Sequence, residues 1–146
     1  MNTMSRYQKA IQISACITLL LATAACGGNT ATTSAGTDGV RVTDVTLGRS
    51  IGGDKAVTDK TDNFKPNDTV YASVATEGSA QSVTLRAKWT FEDGQVVDDA
   101  SRTITPGSRE WTEFHIAKPD GWPTGKYRVE VFLDNKSADT QSFEVR

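Results

Sequence analysis

The sequence predicts an all-β fold, a single antiparallel β-sandwich of about seven strands. Apolar and polar residues alternate with a period of two after residue 39, most clearly from Val83 to Phe91. Turn-forming pairs such as Asp93-Gly94 separate these runs. No segment after residue 25 shows the apolar stripe of an amphipathic helix. Short strands joined by turns within about 107 residues indicate a sandwich.

The composition is that of a soluble globular domain without disulfides. Of the 146 residues, 37% are hydrophobic and 23% are charged, and 16 basic against 18 acidic residues give a net charge of −2. This balance gives no electrostatic reason to expect a nucleic acid partner. Cys16 and Cys26 are the only cysteines. The rest of the chain can therefore form no intramolecular disulfide, and packing alone must hold its core.

The first 25 residues have the pattern of a secretory signal peptide. Arg6 and Lys9 precede a mainly apolar stretch from Ala10 to Ala22, and no acidic residue accompanies them. At about 13 residues, this stretch is shorter than the roughly 20 that a membrane-spanning helix needs. We therefore expect a cleaved signal peptide, with a retained transmembrane anchor as the alternative.

The signal segment ends in Thr23-Ala24-Ala25-Cys26. This ending resembles the lipobox of bacterial lipoproteins, although Thr23 stands where that family prefers leucine. The resemblance implies that the Cys26 thiol receives a diacylglyceryl group, that the chain is cut before Cys26, and that fatty acids such as palmitate hold it on a membrane. A second candidate, Ile13-Ser14-Ala15-Cys16, leaves too short an apolar stretch before it. The alternative is an ordinary secreted protein cut near Ala25, with Cys26 a free thiol.

The segment after Cys26 is predicted to be a flexible linker. From Gly27 to Gly39 it is small and polar, and it has no aliphatic side chain larger than alanine. The predicted organisation is a signal peptide at 1–25, the lipidated cysteine and linker at 26–39, and the sandwich domain at 40–146.

The predicted location is the bacterial cell envelope, with attachment to a membrane through lipid on Cys26. Gly27 is not the aspartate that resembles an inner-membrane retention signal. In a host with two membranes we therefore expect the periplasmic face of the outer membrane. Cleavage would remove Arg6 and Lys9 and change the net charge from −2 to −4.

Seven strands are predicted from the alternating runs. Within the first run the apolar parity shifts between Val42 and Val45, which predicts a β-bulge near Thr43-Asp44. The predicted strands are Val40–Leu47, Val70–Val74, Val83–Phe91, Val96–Ile104, Phe114–Ile116, Tyr127–Leu133 and Phe143–Val145.

Four loops separate these strands clearly. Asp93-Gly94 predicts a two-residue hairpin with positive φ, and Asp134-Asn135-Lys136 predicts another reversal. The segment from Pro119 to Gly125 contains two prolines and cannot be a strand. The longest irregular piece runs from Ser50 to Asp68.

The end of the chain resembles the closing hairpin of immunoglobulin-like and fibronectin type III-like bacterial modules. The shared pattern is W-P-x-G-x-Y-x-V-x-V from Trp122 to Val131, followed by a polar turn and Phe143-x-Val145. The resemblance covers about residues 40–146 and implies an immunoglobulin-like sandwich without the antibody disulfide. It also implies that the Tyr127 hydroxyl bonds to upstream backbone, and that Trp89 is the core tryptophan of the third strand.

Patterns for catalysis or metal binding are weak. His115 is the only histidine, so a multi-histidine metal site is excluded and a catalytic triad would depend on that residue. Acidic residues cluster at Glu92-Asp93, at Asp98-Asp99 and between Asp54 and Asn63, but they lack the spacing of a calcium loop. A carboxylate pair for glycoside hydrolysis needs a cleft that so small a sandwich is not expected to hold. We expect no metal, no cofactor and no catalytic site.

The candidate binding residues are outward-facing aromatics: Tyr71 and Trp111, with His115 on the same face as Trp111. They meet on one sheet if the second and fifth predicted strands are neighbours. Such residues can stack on sugar rings or anchor a protein. The alternative for Trp111 is coverage by the Ser50–Asp68 loop. Trp122 is also a candidate, and either it plugs one end of the sandwich, the favoured alternative, or it protrudes.

Together these features predict a lipid-anchored envelope module that works by binding, most simply to an envelope protein. A carbohydrate- or peptidoglycan-binding module that uses the outward aromatics is the alternative. A small hydrolase is the third and least favoured hypothesis.

Overall fold

The computed structural model of the chain describes residues 36–37 and 39–146, which form nine strands and no helix. The predicted signal peptide, Cys26 and most of the predicted linker lie outside these residues. The strands are β1 (Gly36–Thr37), β2 (Val40–Gly48), β3 (Asn63–Phe64), β4 (Val70–Glu77), β5 (Val83–Phe91), β6 (Gln95–Ile104), β7 (Glu110–Ile116), β8 (Gly125–Leu133) and β9 (Lys136–Val145).

The strands form two sheets that enclose one hydrophobic core. The first sheet has the order β1-β2-β4-β7 and the second has the order β3-β9-β8-β5-β6. Neighbouring strands are antiparallel, apart from the short parallel pair of β3 and β9. The predicted all-β immunoglobulin-like sandwich is confirmed. In the constant-type immunoglobulin arrangement the fourth long strand joins the first sheet, whereas here β6 pairs with β5 in the second.

The core is built from the alternating apolar residues of both sheets. Trp89 is fully buried on β5 and meets the ring of Phe143 edge-on, with the ring centroids 5.9 Å apart. The prediction that Trp89 is the core tryptophan of the third strand is therefore confirmed. Other large side chains that are fully buried include Phe64, Phe114, Leu85 and Leu133.

The seven predicted strands are present, but several are longer than predicted. The fifth begins at Glu110 rather than Phe114, and the seventh begins at Lys136 rather than Phe143. Their first halves carry mostly polar side chains, so backbone pairing with β4 and β8 makes them strands without an apolar pattern. The two short strands, β1 and β3, have two residues each and gave no periodic signal.

Two turns show how local chemistry decides the chain reversals. The predicted two-residue hairpin at Asp93-Gly94 is wrong: Phe91 pairs with Gln95, so the loop has three residues, with Gly94 at φ 100°. The second reversal is tighter than predicted. Asp134 and Asn135 alone form it, with φ of 47° and 66°, because Asn and Asp tolerate this left-handed conformation.

Two further local predictions, the β-bulge in the first strand and the hydrogen bond of Tyr127, are confirmed. The register of β2 against β4 shifts between Val42 and Asp44, which is the predicted bulge. The Tyr127 hydroxyl donates to the Pro123 carbonyl oxygen at 2.8 Å, and the Tyr127 ring stacks on Phe143 at 5.2 Å. Burial, with a smaller contribution from the Glu92 charge, raises the pKa of the Tyr127 phenol.

The described residues all belong to one compact unit. The hydrophobic core of the described residues lies wholly within this unit, so residues 32–146 contain what the sandwich needs to fold by themselves. Within residues 36–37 and 39–146, no helix is long and apolar enough to cross a membrane.

Candidate binding face

Tyr71, Trp111 and His115 lie on the outer surface of the first sheet, and we call these three residues the aromatic face. The second and fifth predicted strands are β4 and β7. The prediction that they are neighbours is confirmed, because β4 pairs with β7 along its length. In this register Tyr71 is directly opposite His115, and Trp111 is opposite Ala75. Trp111 and His115 are four residues apart on one strand, which separates them by about 13 Å.

Tyr71 and His115 form one contact pair at one end of the aromatic face. Their ring centroids are 5.4 Å apart and the rings are tilted by 42°. The His115 side chain is 50% exposed, and Tyr71 is half-buried. This pair therefore presents one imidazole edge and part of one phenol ring to solvent.

Glu113 lies between the two ends of the aromatic face and binds basic groups on both sides. Its carboxylate accepts a hydrogen bond from His115 Nδ1, and its other oxygen is 3.8 Å from the Arg102 guanidinium of β6. The Glu113 side chain is only 16% exposed. The carboxylate thus links the outer surface of the first sheet to the edge of the second.

Trp111 forms the other end of the aromatic face and is only half-buried. The guanidinium carbon of Arg109 lies 5.7 Å from its ring centre, within the range of a cation–π contact. Trp111, Lys55 and Arg102 line a depression of about 530 Å³. Trp111 is therefore a partly accessible ring with basic groups around it.

The loop after β2 covers the middle of this sheet surface. The Ser73 hydroxyl donates to the Lys55 carbonyl oxygen at 2.6 Å, and both Ser73 and Ala75 are fully buried. Gly48 allows the loop to approach, because a Cβ there would stand 2.3 Å from the Asp59 carbonyl oxygen. The Ser50–Asp68 loop, the alternative cover of Trp111 predicted from the sequence, contacts Ser73 instead, and Trp111 stays partly accessible.

Trp122 does not belong to the candidate binding surface. It is 8% exposed, its indole N–H donates to the Asp68 carbonyl oxygen at 3.1 Å, and its ring meets Tyr127 edge-on. The backbone N–H of Trp122 also donates to Pro66 at 2.7 Å, which holds the loop against the end of the sandwich. Trp122 therefore plugs one end of the sandwich, the alternative favoured from the sequence, and it is not available as a binding residue.

The chemistry available on the aromatic face is recognition by rings and charges. A hydrolase that used His115 and Glu113 would also need a nucleophile within their reach. The Ser73 hydroxyl, opposite Glu113, is buried and bonded to Lys55. Among residues 36–37 and 39–146, no three His, Cys, Asp or Glu side chains are grouped to hold a metal.

The acidic clusters noted in the sequence do not converge on one site. Asp99 accepts two hydrogen bonds from the Arg86 guanidinium, at 2.7 and 2.5 Å, and this bonding lowers the pKa of the Asp99 carboxyl. Asp59 is bound in the same way by Arg49, which lowers its pKa. Sequence reasoning missed Arg102 and Arg109. Arg109 lies two residues before Trp111, a spacing that places both side chains on one face of a strand, so the sequence could have indicated it. Arg102 lies on the second sheet, and no sequence pattern predicts that it contacts Glu113.

Comparisons with known proteins support the fold and go no further. No family model and no curated protein matches the chain. The C-terminal domain of Wzt is 11% identical, with a TM-score of 0.52, over 76% of this chain and 75% of that one. An immunoglobulin-like protein of Pseudomonas aeruginosa is 17% identical, with a TM-score of 0.49, over 78% and 99% of the two chains.

A third similar structure is part of a larger enzyme. The alkylpurine DNA glycosylase AlkC of Pseudomonas fluorescens is 15% identical, with a TM-score of 0.48, over 73% of this chain. The chain spans only 30% of the length of that glycosylase. At such identities, similarity describes architecture and not activity.

Proposed function

We propose that the protein is a lipid-anchored, non-catalytic binding module of the bacterial cell envelope, and that its aromatic face contacts an envelope protein. The observation that carries this proposal is the mixture of rings and ionic groups on the aromatic face. Tyr71, Trp111 and His115 are accompanied there by Arg109 and by the partly buried Glu113. Tyrosine, tryptophan and arginine are the residues that dominate binding energy at protein interfaces.

A protein partner fits this face better than a sugar does. Stacking on a sugar ring uses an open aromatic surface, whereas the guanidinium of Arg109 lies over the Trp111 ring. Tyr71 and His115 likewise contact each other. The loop over Ser73 separates the two ends of the face, so they favour a partner that contacts each end with its own side chains. Acidic groups of the partner would meet Arg109 beside Trp111, where Arg109 is also 3.2 Å from Glu77.

We expect alanine at Tyr71 or Trp111 to weaken partner binding by about tenfold or more, because truncating an interface hot spot costs about 2 kcal/mol or more. Residues 32–146 would be immobilised and exposed to solubilised envelope proteins from the source bacterium. Phe132→Ala is the matched control, because Phe132 is half-buried on the outer face of the second sheet with Arg86 5.1 Å from its ring.

The result that supports the proposal is one partner retained by the wild type and by Phe132→Ala, and lost by Tyr71→Ala and Trp111→Ala. Equal retention by all four proteins would contradict it. Peptidoglycan sedimentation with the same proteins tests the alternative. Binding to peptidoglycan that depends on Trp111 would replace the protein partner with a polysaccharide.

The lipid anchor is supported by the lipobox-like sequence before Cys26 and by the small polar stretch after it. Several acyl chains on one cysteine would anchor the chain much more firmly than a single myristoyl group does. Cells that express the wild type and are fed a fatty-acid probe are expected to label the protein. Cys26→Ala should remove the label completely, with Cys16→Ala as the matched control that keeps it. Label that survives Cys26→Ala would refute the anchor.

A further inference from the structure

Strand β6 is an open edge of the second sheet. Among the described residues it pairs with β5 alone, so the polar backbone groups along its other side have no strand partner. It has ten residues, against a usual strand length of about five or six. It contains no lysine or proline, but it has charges at Asp98 and Arg102 and a bulge at Val97. Natural edges use such charges and bulges to oppose pairing, so a partner strand must complement these charges. Val96 on this strand is 51% exposed.

The charges on β6 are arranged symmetrically around Ala100. Asp98, Ala100 and Arg102 are opposite Trp89, Ala87 and Leu85 of β5 respectively. Those three β5 residues are fully buried, so Asp98, Ala100 and Arg102 all occupy inner-face positions of the sheet. The acid therefore stands two residues before the alanine, and the base stands two residues after it.

We propose that β6 pairs edge-to-edge with β6 of a second copy of this chain, antiparallel and with the two-fold axis at Ala100. In that register Asp98 of each copy is directly opposite Arg102 of the other. Residues directly opposite in an antiparallel pair bring their Cβ atoms within about 4.5–5.5 Å, so both charge pairs are favourable. A two-fold interface needs a self-complementary surface, and this five-residue pattern is self-complementary in charge.

The side chains at the centre leave room for this pairing. Ala100 would face its own copy, and Asp99 would be opposite Ser101 on the outer face. Arg102 is half-exposed and 3.8 Å from Glu113, and the five N–H groups of its guanidinium allow it to serve a second carboxylate. No ion pair among the described residues involves Asp98.

The interface would be short, and the dimer weak. The register of β6 against β5 shifts between Val96 and Asp98, which makes Val97 the extra residue of a bulge. Regular pairing therefore starts at Asp98, and the buried area falls below the roughly 1,200 Å² of stable complexes. The edge strand β6 adjoins the aromatic face, because Arg102 is 3.8 Å from Glu113. The two proposals are nevertheless tested separately, because Asp98→Arg and Ala100→Cys leave the three residues of the aromatic face unchanged. Dimerisation can therefore fail without the proposed partner binding failing, and the reverse.

Analytical ultracentrifugation of residues 32–146 over a range of concentrations tests the pairing. We expect the wild type to dimerise reversibly and Asp98→Arg to raise the dimer Kd by about tenfold or more, because two arginines would then face two arginines. Arg102→Asp should have the same effect. An equimolar mixture of these two variants should dimerise, because each supplies the charge that the other lacks. A monomeric wild type at every concentration, or an unchanged Kd for Asp98→Arg, would overturn the proposal.

Disulfide trapping gives a second readout that does not depend on Arg102. Residues 32–146 contain no cysteine, so Ala100→Cys would carry the only thiol. Opposed Cα atoms in antiparallel strands lie about 4.5–5.5 Å apart, within disulfide range. We expect Ala100→Cys to form a covalent dimer far faster than Ser142→Cys, an exposed position on β9. Equal rates for the two variants would contradict the two-fold axis at Ala100.

Discussion

Replacing Trp89 with alanine is expected to lower the free energy of unfolding by about 3–5 kcal/mol, the usual cost of truncating a buried tryptophan. Trp89 is fully buried between the sheets and contacts Phe143. A typical domain has only about 5–15 kcal/mol of stability, and no disulfide supports this core. We therefore expect Trp89→Ala to unfold in much less urea than the wild type, when circular dichroism of residues 32–146 is followed.

Trp89→Phe is the matched control for that substitution. Among the described residues, the Trp89 indole N–H is buried without a hydrogen-bond partner. Phenylalanine keeps most of the apolar contact and removes an unsatisfied donor, which itself costs stability when buried. Trp89→Phe should therefore lose much less stability than Trp89→Ala. Equal losses would show that ring burial is not what makes Trp89 important.

Trp122→Ala should also destabilise the domain strongly, by about 3 kcal/mol, whereas Trp111→Ala should cost about 1 kcal/mol or less. Trp122 closes the end of the core and donates to the Asp68 carbonyl oxygen, and its loss would open a cavity beside Tyr127. Trp111 is half-buried on the outer surface of the first sheet. Urea unfolding of both variants, measured against the wild type, gives the two values directly.

The contrast between these two tryptophans separates a structural role from a binding role. If Trp111→Ala destabilised the domain as much as Trp122→Ala, Trp111 would be a core residue and a poor candidate for recognition. If Trp122→Ala were nearly neutral, the plug would be wrong and Trp122 would return to the binding candidates.

Most of the sandwich could be predicted from the sequence, because the buried residues of its inner faces alternate regularly with polar residues. The run from Val83 to Phe91 and the parity shift before Val45 gave a strand and a bulge that the structure confirms. The first half of β7 and the contact of the Ser50–Asp68 loop with Ser73 have no such alternating pattern in the sequence. Both depend on backbone groups, as in the bond from Ser73 to the Lys55 carbonyl oxygen, and no side-chain pattern records those contacts.

The candidate site could be predicted only where it lies on neighbouring strands. Alternation placed Tyr71 and His115 on outer faces, and the strand order then brought them together. Arg102 was missed because it reaches Glu113 from the other sheet. Trp122 could not be assigned from sequence, since its direction depends on the hydrogen bond between its backbone and Pro66.

The most direct test of the proposed aromatic face is photo-crosslinking in cells. A benzophenone amino acid would replace exposed His115 on the first sheet or, as a control, exposed Thr140 on the second. We expect position 115 to crosslink to one envelope protein, and position 140 to give no such product. Crosslinks to the same protein from position 140 with equal yield, or no crosslink from position 115, would contradict recognition through the aromatic face.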